Sequence, residues 1–155
     1  MKSLIIRPWP PLAVCRAIAV VQLLVGLGAL AGGALLVADP SGSLLGMPSV
    51  LLGRMPFRTY LVPGVLLYTL VGGGNVVAGL LSWKRQALAG LAAITFGAAL
   101  AIYIGVEWYA IALTHPLQFV LFAVALLLVA CGIAFVWPGL RSFGARHAPA
   151  VPAVR

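Results

Sequence analysis

The chain has 155 residues, of which 63% are hydrophobic and only 8% charged. A soluble domain carries roughly 25% charged residues, so this composition excludes the soluble globular class, and the length allows one domain. The net charge of +8 does not point to nucleic acid as a partner, because the basic residues flank apolar runs as membrane-orientation signals and headgroup contacts do.

Residues 1–11 form a basic lead with Lys2, Arg7 and Trp9, and Pro8, Pro10 and Pro11 keep its end from being helical. No cleavable signal is expected, since the first apolar run exceeds the roughly 7–15 residues of a signal-peptide core and lacks a small-x-small site. Residues 12–38 are apolar apart from Arg16 and Gln22. That run is longer than the ~20 residues needed to cross a hydrocarbon layer. Arg16 lies one turn inside and can snorkel to the interface. Gly28 and Gly32 make a small-xxx-small pair suited to close helix packing.

A connector over residues 39–59 follows, opening with the turn sequence Asp39-Pro40-Ser41-Gly42. Within it, Ser43–Arg54 is apolar but too short to span, and reads as a short interfacial helix. Residues 60–83 form the second span, with Gly72-Gly73-Gly74-Asn75 at depth. Successive glycines weaken a helix by about 1 kcal/mol each, so they mark close packing, a kink or a backbone approach.

The third span covers residues 86–106, and its small residues Ala89, Ala93, Gly97, Ala101 and Gly105 fall at four-residue spacing. That ridge is expected to be the main packing seam. Glu107-Trp108-Tyr109 then reaches the interface. His115-Pro116 starts the fourth span, residues 117–137, which Pro138-Gly139 is expected to stop. The spans together make a transmembrane domain over 12–139, and residues 140–155 read as a flexible basic tail. The fold class is all-α: an integral membrane four-helix up-down bundle in which the first and fourth helices are neighbours.

Eight of the ten Lys and Arg residues (Lys2, Arg7, Arg16, Lys84, Arg85, Arg141, Arg146, Arg155) gather on one side, against Arg54 and Arg58 on the other. The positive-inside rule places both termini in the cytoplasm and the connector outside, in a multi-pass protein of the inner (plasma) membrane. Trp9, Trp83 and Trp137 would form one aromatic belt, and Trp108, Tyr109, Phe57 and Tyr60 the other.

That topology brings polar residues to common depths. Gln22, Asn75 and Thr95 fall at one level, about 12–15 Å from the inner edge. They read as an interhelical hydrogen-bonded layer, with the lining of a small site as the alternative. On the outer side Asp39, Arg54, Arg58, Glu107, His115 and Gln118 can converge. The plain reading is a salt-bridge cap fixing the connector over the bundle; the functional one is a proton-handling, quinone-headgroup or solute site using Glu107 or His115. No metal-ligand spacing is present, and neither are a P-loop, a nucleophile with a basic partner or an HExxH. Cys15 and Cys131 stand singly and read as small apolar residues, with a redox pair as the alternative.

The pattern DPSG…LGMP…PF..YLVPG within Asp39–Gly64 is similar to one in uncharacterised bacterial four-helix membrane proteins. In architecture the chain resembles the DoxX-like group of small bacterial membrane proteins. That resemblance implies quinone or thiol redox work, although the paired cysteines of the thiol-oxidising relatives are missing here. No catalytic residue follows from it. The leading expectation is a non-catalytic accessory or structural subunit in the lipid bilayer, packed as a homo-oligomer or within a larger membrane complex. A DoxX-like quinone-binding protein and a minimal oligomeric transporter are the alternatives.

Overall fold

The computed structural model describes residues 10–47, 58–111 and 116–146. The basic lead before Pro10, Arg54 with the greater part of the expected interfacial helix, His115, and the tail beyond Arg146 lie outside the described residues. Four long helices carry the fold: Leu12–Ala38, Leu61–Trp83, Ala89–Ile111 and Pro116–Arg146. Each holds a segment long and apolar enough to cross a bilayer. Their exposed flanks are themselves apolar, with Leu24, Ile102, Val106, Leu117 and Phe119 all turned outward. A soluble helix would present charge there.

Consecutive helices pack: first on second, second on third, third on fourth. No comparable interface joins the first and fourth among the described residues. The tightest contacts run antiparallel. Gly26 meets Val76 and Gly33 meets Tyr68 in the first pair, while Gly90 meets Gly132 and Gly97 meets Ala125 in the last. Among the described residues the first and fourth helices, expected to be neighbours, face each other across an opening instead of packing.

The second helix changes pitch midway. Leu67–Gly73 is wound as π-helix, between α-helical turns at Leu61–Leu66 and Gly74–Trp83. The glycine run sits at this point and lets two neighbours in. Gly72 abuts Leu30 of the first helix, and Gly74 lies under the ring of Phe96 in the third. Close packing and a local distortion, both anticipated from three glycines, occur together.

Several boundaries and faces differ from the sequence reading. In the first helix the close-approach glycines are Gly26 and Gly33, not the pair Gly28 and Gly32. Gly28 comes two residues after Gly26, about 200° further round the helix, and faces open space. The third-helix ridge is buried at Ala89, Ala93 and Gly97, half-buried at Ala101, and clear of all neighbours at Gly105. Four-residue steps on a 3.6-residue helix drift by about 40° each, so such a ridge turns away from a straight partner.

The third helix starts at Ala89 rather than at residue 86. The second helix ends in a Schellman turn, with Gln86 N–H donating to Leu81 O and Arg85 N–H to Ser82 O. Arg85 holds the left-handed position (φ 52°) that glycine usually takes. The fourth helix is not stopped at Pro138-Gly139 and runs on to Arg146, so the first part of the expected flexible tail is helical. Proline removes one N–H and crowds one carbonyl, which a long apolar helix absorbs by local adjustment. Within the connector the described helix is a single 3₁₀ turn, Ser43–Leu45, ended by Gly46 in the left-handed region.

Candidate functional site

The gap between the first and fourth helices is a cleft of about 460 Å³. Leu24, Gly28 and Ala29 of the first helix form one wall, and Leu117 and Leu121 of the fourth form the other. Leu67 and Val71, both in the π-wound segment, line it together with Leu100 and Ile104 of the third helix. Val71, Leu100 and Ile104 belong to the buried core, so the floor of the cleft is fixed packing. The volume is that of a small-molecule pocket, and the lining is apolar apart from Tyr103, Glu107 and Gln118.

Those polar groups are ordered by a short relay. Trp108 Nε1 donates to Gln118 Oε1 at 3.2 Å, and Gln118 Nε2 donates to Glu107 Oε2 at 3.3 Å. An indole can only donate, so it claims the amide oxygen and turns the amide nitrogen toward the carboxylate. The Trp108 ring packs in turn against Phe119 and Phe122, at centroid distances of 5.2 and 4.9 Å. Trp108 is at the end of the third helix and Gln118 at the start of the fourth, so the relay bridges the two across their connection.

Of the other outer residues that are described, neither Asp39 nor Arg58 joins this group. Asp39 caps its own turn: its carboxylate accepts from Ser41 N–H, Ser41 Oγ, Ser43 Oγ and Leu44 N–H, at 2.6–3.1 Å. These four bonds hold its carboxyl far below the usual carboxylate range, with the serine hydroxyls the largest influence. Among the described residues Asp39 thus serves an Asx-type turn and not an ion pair. Tyr60 is buried beneath this turn, and its N–H donates to Pro40 O at 2.9 Å, which ties the two ends of the connector together. Arg58 is exposed beside it. Arg54 and His115 are outside the described residues.

The intramembrane layer forms in part, and with a different member. Gln22 and Asn75 are both fully buried where the first and second helices meet. Thr95 is not with them; it is exposed on the third helix. Ser82 takes its place, donating to Gln22 Oε1 at 2.9 Å. Ser82 lies seven residues after Asn75, which puts both on one face, and that spacing was the signal available in the sequence. Asn75 Nδ2 donates within its own helix to Val71 O at 2.8 Å. Gln22 Nε2 and Asn75 Oδ1 find no hydrogen-bond partner among the described residues. Both faces of this layer are closed, so it is a buried joint between helices and not the wall of a passage.

At the opposite end from Glu107, the Arg16 guanidinium sits over the Trp83 ring, 5.8 Å from its centroid. Arg85 Nη2 donates to Pro10 O at 3.3 Å, fastening the turn between second and third helices to the start of the first. Cys15 is buried and Cys131 half-buried, both as free thiols. Among the described residues no three His, Cys, Asp or Glu side chains come together as a metal site would require. Tyr103 and Trp108 are the functional candidates the sequence reading did not select: Trp108, near a helix end, reads first as a belt residue, and Tyr103 carried no signal of its own. Compared with family models, curated proteins and solved structures, the chain matches none.

Proposed function

We propose that this chain is a multi-pass membrane protein with both termini in the cytoplasm, an up-down bundle left open between its first and fourth helices. Its activity is binding, not catalysis: the opening takes a lipophilic small molecule from the bilayer. One observation supports this above the others. The two end helices leave between them a cleft of about 460 Å³, apolar along its length apart from Tyr103, Glu107 and Gln118. A pocket with apolar walls and a few converging polar groups is the form ligand sites take. In such a protein the accessory-subunit role is to hold or present that molecule to a larger assembly.

The transporter reading has no support from geometry, since Gln22 and Asn75 are sealed inside a helix joint and Thr95 faces away. The DoxX-like quinone reading shares the cleft and differs in the head group bound. Native mass spectrometry of protein extracted in mild detergent tests the site itself. The expected result is a bound molecule of a few hundred daltons, lost in Gly28→Leu, because Gly28 lines the cleft and has open space where the leucine would go. A bare protein, or an adduct retained by Gly28→Leu, would overturn the proposal.

A further inference from the structure

We infer that the molecule held in the cleft is a lipophilic organic ammonium ion, its positive head at Glu107 and its apolar body between the first and fourth helices. This rests on the reading of the cleft as a ligand site and adds the chemistry of the head group. The argument begins with the count of donors and acceptors. A carboxylate offers about four acceptor positions, and Glu107 is met by one hydrogen bond, the 3.3 Å contact from Gln118. Its Oε1 has no partner among the described residues. Trp108 fixes the amide so that its nitrogen, not its oxygen, is the group beside the carboxylate. Gln118 Oε1 is already an acceptor for the indole. Acceptor capacity at this end of the cleft therefore exceeds what donors among the described residues fill, and the balance favours a ligand that donates or is positive.

Charge points the same way. No lysine or arginine lines the cleft among the described residues. Arg16, Lys84 and Arg85 are at the far end of the helices, and Arg58 is exposed on the connector. A carboxylate in an apolar setting without a counter-charge is unfavourable, and a bound cation offsets that. The surroundings suit an ammonium in particular. Tyr103, one helical turn before Glu107, lines the cleft with it and supplies an aromatic ring there. Carboxylate and aromatic faces together are the usual recognition for alkylammonium groups. A quinone head would present carbonyl acceptors to a site already rich in acceptors, and an alkyl anion would meet Glu107 with like charge.

The test uses the full chain in nanodiscs of zwitterionic lipid. Three probes are titrated by calorimetry: octyltrimethylammonium, octyl sulfate, and a short-chain ubiquinone. Octyltrimethylammonium is expected to bind at least about tenfold more tightly than the other two, and Glu107→Gln, which keeps shape and removes charge, is expected to weaken it by about tenfold or more. Gly28→Leu should abolish it. Thermal melting verifies that each variant is folded, and Gln118→Leu serves as a second variant should Glu107→Gln not fold: freeing Glu107 of its one donor should leave ammonium binding intact or stronger. If no probe binds, or Gly28→Leu leaves binding untouched, the cleft is not the site and both readings fall. If quinone or sulfate binds as well as the ammonium and is displaced by Gly28→Leu, or if Glu107→Gln changes nothing, the cleft stands and the ammonium assignment is overturned.

Discussion

Where the first and second helices cross, a methyl group placed on Gly26 would lie 2.8 Å from the backbone nitrogen of Val76; placed on Gly28, half a turn away, it would meet nothing within 4 Å. The third helix repeats the contrast, with Gly90 against Gly132 of the fourth helix and Gly105 in open space. One group of glycines brings backbones together, and the other makes no close contact, with Gly28 lining the cleft. In lipid, apolar side chains gain little by leaving one apolar medium for another, so adhesion depends on fit between surfaces. The close-fitting half supplies that adhesion. The other half is free to remain open and to carry a carboxylate.

The widest separation between the two halves is expected from glycine substitutions. Gly132→Val drives a branched side chain into the Gly90 carbonyl and should destabilise by about 3 kcal/mol or fail to fold, since overpacking of even ordinary cores costs about 1–3 kcal/mol. Gly105→Ala should be neutral or stabilising by up to about 1 kcal/mol, because alanine is the better helix former and nothing is in its way. Unfolding curves in detergent measure both; equal melting of the two variants would erase the distinction between close-packed and open glycines.

A smaller effect separates the buried joint from the relay at the cleft. Ser82→Ala removes the donor to Gln22 Oε1 inside a sealed interface and should destabilise by about 1 kcal/mol. Adding Gln22→Leu should restore much of that loss, since neither member of the pair then leaves a stranded polar group. A double-mutant cycle measures the coupling, and strict additivity would mean that the two side chains do not act together.

The mildest test is acid. Asp39 has its folded-state carboxyl held below the range it shows in an unfolded chain. Its turn therefore contributes stability that is fully present above about pH 4 and fades as pH falls further, toward the lowered folded value. Asp39→Ala should show a flatter melting profile between neutral pH and pH 2, and a profile as steep as the wild type's would place the acid sensitivity elsewhere.

The helices were legible in the sequence because hydrophobic length is a property of the chain alone, and the first helix begins and ends where its apolar run does. Faces were harder to read. These helices are apolar nearly all round, so periodicity hardly distinguishes the side that packs from the side that meets lipid. Thr95 shows the result: its depth was readable, its direction was not. Glu107 and Gln118 were both selectable as rare polar residues in an apolar chain, yet the link through Trp108 depends on how two helices turn about their connection. The cleft was least legible of all, since it exists because two helices do not touch. Asp39 was assigned arginine partners, whereas the serines two and four residues along were nearer and already hydroxylic donors.

The π-wound stretch Leu67–Gly73 has a bearing on how insertions and deletions act in this chain. A wide turn accommodates one residue more than an α-helix would, so everything beyond it is rotated by about 100° relative to an unbroken helix. Asn75 and Ser82 owe their aim at the first helix to that phase. Deleting a single residue between Leu67 and Gly73 would allow the helix to wind regularly, at no loss of hydrophobic length, and would swing both polar side chains out of their joint toward lipid. A frame change of one residue there should therefore be more damaging than most point substitutions, although hydropathy would hardly register it.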